Sequence, residues 1–204
     1  MCSSDLIVDR NTRVSTWTGR QPPLGYVDFW PISLGFNTLE PPFNDPDMRR
    51  AINYAIDRDQ LVEIGWQGAG KPTLLPFPDY PALRPYFGAV EDLLQESEVG
   101  VFDVEKSAEI MRAKGWERGE DGFWQKDGRP FRVIIDIFPI FNDLAPVLVA
   151  QLERAGFDAD FRMTSDAYTR MAQGEARAFI TGHGGSVRDP YFTLRLYHSR
   201  FVQP

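Results

Sequence analysis

The 204-residue chain has one cysteine, Cys2, and two histidines, His183 and His198. A lone thiol forms no internal disulfide, and this ligand supply falls short of a dedicated zinc or other transition-metal site. No apolar run approaches the roughly 20 residues needed to cross a bilayer. The 22 Lys and Arg residues form no run or stripe, and 29 acidic residues set the net charge at −7. That balance argues against nucleic acid or an anionic membrane surface as a partner. A G-x-S-x-G elbow for an esterase-type nucleophile is missing. So are internal repeats and low-complexity segments. The opening, MCSSDLIVDR, has neither the charged nor the apolar region of a signal peptide. Residues 2–6, Cys-Ser-Ser-Asp-Leu, read as a translated sequencing adapter and are expected to be non-native, which leaves Cys2 no role as a lipid anchor. The chain is expected to be an internal piece of a longer protein.

What is present is enough for a packed α/β domain. The chain is 43% hydrophobic and 25% charged, a composition that excludes disorder. Residues 7–23 are polar, with Trp17, Gly19 and Pro22-Pro23, so residues 1–23 read as an irregular connector. Residues 24–204 are expected to form one lobe. Tyr26–Phe36 is aromatic and β-branched, and Pro31 makes it an edge strand or a pair of short strands. Asn44 or Asp45 caps a helix with Pro46 at its first position. Met48, Ala51, Ile52, Ala55 and Ile56 form its apolar face. Asp57 or Asp59 starts a second short helix, stopped by Gly65 and Gly68. Five prolines in residues 71–88 predict an extended surface loop.

The second half alternates strand and helix. Asp103 caps a helix ending at Gly115. Gly122–Arg129 is a hairpin with Asp127-Gly128 as its turn. Phe131–Phe138 is nearly continuous in apolar residues, as in a buried central strand. A helix from Asn142 or Asp143 to Ala155 leads to a strand at Asp158–Met163, making a βαβ unit that favours a right-handed parallel crossover. Ser165 caps a further helix, Arg177–Gly182 is a strand, and Pro190 opens the last helix. The predicted fold is α/β, with a mixed sheet and flanking helices.

Several motifs suggest chemistry. Gly65-Trp-Gln-Gly-Ala-Gly70-Lys71 fits a phosphate-loop pattern, but a helix precedes it and Pro72 replaces the Ser or Thr that reaches magnesium. His183-Gly184-Gly185-Ser186 resembles an esterase oxyanion loop, which is the basis of an alternative reading as a small α/β hydrolase using His183. No nucleophile, base and orienter can be named beside it. Acidic pairs such as Asp57/Asp59 and Asp92/Glu96 fall at caps and on solvated faces. The remaining candidate is Gly182–Pro190, a loop between strand and helix, where open α/β sheets hold ligands. Its glycines admit close backbone approach. His183, Ser186, Arg188 and Asp189 supply donors, acceptors and charge. A helix cap with surface neighbours is the competing reading of the same residues.

The order of the segment from Leu34 to Gly70 resembles the family 5 extracellular solute-binding proteins of ABC importers. The resemblance rests on Asn37-Thr38, Pro42-Phe43, Arg49-Arg50-Ala51-Ile52, Ala55-Ile56-Asp57-Arg58 and Gly68-x-Gly70. Gly115-Trp116, Asp121-Gly122, Asp127-Gly128 and Asp189-Pro190 extend it to about Ser199. It implies one lobe of a type II periplasmic-binding-protein-like fold, mostly the second lobe, truncated at both ends. It also implies a receptor rather than an enzyme, with no cofactor. Its partners would be a small polar solute (oligopeptide, sugar or opine-like) and the permease subunits of an importer. Its location would be periplasmic, or extracellular and membrane-anchored, without insertion of this segment into the membrane. Peptide-binding members carry a tryptophan after the first glycine of the loop and an aspartate three residues before its acidic-Pro pair. Here those positions hold His183 and Ser186, and a neutral hydroxyl cannot neutralise a peptide ammonium. The alignment with the family's ligand loop implies His183, Ser186, Arg188 and Asp189 as ligand residues; the aromatic content, with Trp30 and Trp66 as candidates, suits stacking on a sugar face, and Trp30 is expected to stack on the solute.

Overall fold

The computed structural model of the chain describes residues 11–15, 30–182, 186, 188–198 and 200. The described chain divides into two compact units interleaved in sequence, one of Met1–Ser33, Trp66–Val99 and Gly182–Pro204, the other of Leu34–Gly65 and Gly100–Thr181.

The second unit is built around a four-stranded sheet. Its strands are β1 (Ile32–Phe36), β7 (Ala178–Gly182), β5 (Arg132–Ile137) and β6 (Asp158–Met163), in the order β1-β7-β5-β6. The apolar run predicted as the central strand is β5, which lies between two neighbours, with Val133, Ile135 and Ile137 fully buried. β5 pairs in parallel with β6, Arg132 opposite Asp158 and Asp136 opposite Arg162, and in parallel with β7. β1 runs the other way. Asn37 N–H donates to the Arg177 carbonyl at 2.9 Å, while Gly35 lies against Phe179 and Trp30 against Gly182, so one strand descends as the other climbs. The sheet is therefore mixed.

Helix α1 (Pro46–Tyr54) starts as its sequence dictates. Asp45 is the N-cap and accepts from Asp47 N–H at 2.9 Å, with Pro46 in the first turn where its missing donor costs nothing. Met48, Ala51, Ile52, Ala55 and Ile56 are all buried. α2 (Arg58–Gln60), capped by Asp57, runs on into a π-helical turn, Leu61–Gly65. A buried glutamine fixes this segment. Gln151 of α6 (Ala145–Arg154) accepts from Asp57 N–H at 3.1 Å and donates to the Asp57 carbonyl at 3.0 Å, matching both backbone groups with one amide. α5 (Val104–Ala113) is capped by Asp103, as expected, and its Lys114 end reaches Asp45 at 2.7 Å and Asp47 at 2.8 Å. The hairpin strands β3 (Trp124–Lys126) and β4 (Arg129–Pro130) meet at Asp127-Gly128, both with positive φ as the predicted turn requires. A third strand, β2 (Glu117–Arg118), pairs with β3. An aromatic cluster centred on Phe131 joins these parts, with Phe43, Trp116 and Phe157 rings 5.9, 4.8 and 5.2 Å away.

Two helix starts differ from expectation. α6 begins at Ala145 rather than Asn142 or Asp143, after a 3-10 turn at Pro139–Phe141, and has no side-chain cap because its N-cap residue is Leu144, whose side chain carries no acceptor. α7 (Ala167–Ala172) takes Asp166, not Ser165, as its N-cap residue.

In the first unit, residues 71–88 are not wholly an extended surface loop. Phe77 and Leu83 are buried, and α3 (Arg84–Ala89) begins within the segment, with Pro85 in its first turn. α4 (Glu91–Ser97) follows. Phe77 packs edge-on against Phe87 at 5.2 Å, and Asp79 receives Lys71 at 2.8 Å and Arg84 at 2.9 Å. Those two donors hold the Asp79 carboxyl below the usual carboxylate range.

Two outcomes follow. Ile52→Ala leaves a cavity in a fully buried face and should cost about 2–5 kcal/mol, read by chemical denaturation; a loss under about 0.5 kcal/mol would mean the face is not packed. The Lys114 hydrogen bond and the Asp47 N–H lower the pKa of Asp45 below its ordinary 3.8. A depressed carboxylate stabilises the fold above its unfolded value, and that contribution is lost as pH falls through the lower folded value. Wild type should therefore lose stability below pH 3.8 more steeply than Asp45→Asn, and coincident acid profiles would refute the pairing.

Candidate functional site

Strand β7 ends at Gly182, and the segment from there to Pro190 leads into α8 (Tyr191–Leu194). The glycine at the strand end has the Trp30 indole directly on it. A Cβ built on Gly182 would stand 2.3–2.6 Å from three indole atoms. Trp30 is half-buried.

Ser186 is 1% exposed, and its Oγ accepts a hydrogen bond from Thr193 N–H at 3.2 Å. The bond spans the start of α8 and ties the loop to it. Thr193 is itself fully buried, and its hydroxyl has no partner among the described residues. Ser186 is thus not one of the surface neighbours of a helix cap, because its short hydroxyl satisfies an otherwise orphaned helical N–H. Asp189 is exposed, and its Oδ1 accepts from Tyr191 N–H at 2.8 Å. It caps the helix start while leaving its other oxygen for solvent or a ligand. Arg188 is exposed, and Pro190 is buried at the N-cap of α8. Beyond it, the Arg195 guanidinium lies 5.1 Å over the Phe192 ring. The expectation for His183 falls outside the described residues.

Trp30 and Gly182 thus meet at the root of the loop, Ser186 faces inward, and Arg188 and Asp189 face outward. The part that sequence reasoning missed is the packing of Trp30 on Gly182 and the anchoring by Thr193. Neither has a local signal, since Trp30 and Gly182 lie far apart in the chain. Among the described residues, no three His, Cys, Asp or Glu side chains gather to hold a metal ion, and no helix is long and apolar enough to cross a membrane.

Comparison with known proteins decides the family. The profile for bacterial extracellular solute-binding proteins, family 5 Middle, matches residues 13–202. The chain belongs to this family. Heme-binding protein A of Haemophilus influenzae is 28% identical over 160 residues, 77% of this chain and 27% of that protein. The dipeptide-binding protein of Escherichia coli is 28% identical over 163 residues, again 77% of this chain and 27% of its own length. The chain thus spans a little over a quarter of these relatives. Among solved structures, a periplasmic oligopeptide-binding protein of Thermotoga maritima with mannohexaose bound superposes with a TM-score of 0.76 at 18% identity, covering 97% of this chain and 38% of that one. NikZ of Campylobacter jejuni in complex with Ni(L-His) gives 0.66 at 20% identity, covering 81% and 32%. These likenesses establish the fold, that of type II-like periplasmic binding proteins.

Removing the Ser186 hydroxyl leaves the Thr193 N–H buried without its acceptor. Ser186→Ala should therefore lower stability by about 1–3 kcal/mol in urea denaturation. A loss under about 0.5 kcal/mol would show that this bond does not hold the loop.

Proposed function

We propose that the chain is the solute-binding lobe, residues 24–204, of a receptor that serves an ABC importer. The receptor captures a small polar solute in the periplasm or at the cell exterior and hands it to a membrane permease. The observation that carries this reading is family membership across residues 13–202, supported by the Trp30 indole on Gly182 and by the exposure of Arg188 and Asp189. The alternative, an α/β hydrolase using His183, finds no support. The matched family is one of extracellular solute-binding proteins, and no nucleophile, base and orienter can be named together in the sequence.

The solute class follows from chemistry at position 186. A peptide's amino terminus needs a carboxylate close by, and Ser186 is neutral, buried and engaged with Thr193. A sugar or an opine-like compound suits the loop better than an oligopeptide held by its ammonium. The half-buried indole of Trp30 supplies a flat apolar face for the C–H side of such a solute. Arg188 and Asp189 supply hydrogen bonds to its hydroxyl or carboxylate groups. His183 completes the set by its position in the loop.

Calorimetry against mannohexaose, octopine and trialanine tests the reading. Binding of mannohexaose or octopine in preference to trialanine is expected. Arg188→Ala should weaken that binding by about 1–3 kcal/mol, roughly 5- to 150-fold. Binding of none of the three, or unchanged affinity in Arg188→Ala, would return the loop to a helix-capping role.

A further inference from the structure

Gly182 differs from the polar residues of the loop in what its missing side chain permits. The Trp30 indole occupies the space a Cβ would fill, with Cε2 at 2.3 Å, Cδ2 at 2.4 Å and Nε1 at 2.6 Å from the built atom. Real Cβ atoms do not approach other atoms this closely, so any other residue at 182 must push the ring away or bend the strand end. These three atoms span the bond shared by the two rings and the indole nitrogen. The ring system therefore lies across the glycine rather than touching it with one flexible tip.

An aromatic also covers a glycine between β1 and β7 themselves. A Cβ on Gly35 of β1 would stand 2.4 Å from Cε2 of Phe179 on β7. In both cases a strand glycine has an aromatic ring over it, Phe179 of β7 on Gly35 and Trp30, just before β1, on Gly182. β1 is an edge of the sheet, where an aromatic laid over a glycine replaces the packing that the glycine lacks. Gly182 is the member of these two pairs that stands at the root of the loop.

We propose that Gly182 is a positioning residue that sets Trp30 at the end of strand β7. The indole is held by the strand backbone before any solute arrives, so binding does not have to order it. Fixing a ring in advance removes an ordering cost from association. The consequence for binding rests on the receptor reading above; the placement of Trp30 does not.

The test reads Trp30 directly, without solute. The chain is labelled with 5-fluorotryptophan, and Trp30→Phe assigns the Trp30 resonance. In Gly182→Ala that resonance should shift by more than its linewidth, while those of Trp116 and Trp124 stay in place. Gly182→Ala should also lower the thermal midpoint in the presence of Trp30, and much less in a Trp30→Ala background, where the space is free. An unmoved Trp30 resonance, or an equal loss of midpoint in both backgrounds, would overturn the proposal. If Gly182→Ala alone does not fold, the double variant decides: folding of Trp30→Ala/Gly182→Ala supports the steric coupling, and failure overturns it. Since no solute is added, failure of the receptor reading leaves all of these readouts unchanged.

Discussion

A single buried carboxylate constrains the sheet on which everything else is mounted. Asp136 lies on the inner strand β5 at 1% exposure. Its two oxygens are gripped by Arg162 of β6 at 2.6 and 2.9 Å, and by Arg170 of α7 at 3.1 Å. Arg170 is held in turn by Glu175 at 2.8 Å. A charge removed from water is costly unless it is paired and hydrogen-bonded. Only one parallel register of β5 on β6 puts Asp136 opposite Arg162, and a slip by one residue would turn the carboxylate and its partner to opposite faces. The ion pair thus acts chiefly on specificity, fixing register and the seat of α7. Arg162 is half-exposed, which tempers its energetic weight.

With the register fixed, the rest of the second unit is packed by complementary devices. The Phe131 cluster supplies apolar area, and Gln151 satisfies both backbone groups of Asp57 where two helical segments meet. Lys114, at the end of α5, neutralises the two aspartates at the start of α1, where negative charge already suits the helix dipole. None of these groups has the look of chemistry. Asp136, Gln151, Asp45 and Lys114 each have a structural partner inside this unit, while the buried Ser107 hydroxyl has none among the described residues.

The loop after β7 follows a different logic. Its anchors are short: a serine hydroxyl on a helical N–H, an aspartate on its own turn, and a tryptophan over a glycine. They fix the backbone while leaving Arg188 outside. Under the proposed receptor role, this separation lets residues that contact the solute vary without disturbing the frame.

Much of this was legible in the order of residues. Asp45-Pro46 and Asp103 announce their helices because a capping carboxylate and a proline act on N–H groups within a few positions of themselves. Asp127-Gly128 announces its turn because positive φ is a local demand. The run from Phe131 shows itself as an inner strand by apolar composition alone. What failed to show was of two kinds. Residues 71–88 looked like open loop because prolines dominate locally, yet Phe77 and Leu83 are buried by partners that composition does not reveal. Ser186 looked like an exposed ligand donor because a glycine-rich neighbourhood reads as surface, yet it faces Thr193, seven residues on, across the start of a helix. The sequence by itself determined the caps at Asp45, Asp57 and Asp103, the Asp127-Gly128 turn, the class of fold and the family, since each rests on local residue order or on composition. Only the tertiary structure decided that Asp136 meets Arg162 and Arg170, and that Trp30 meets Gly182, because those groups are distant in the chain and side-chain sterics act only once the strands are paired.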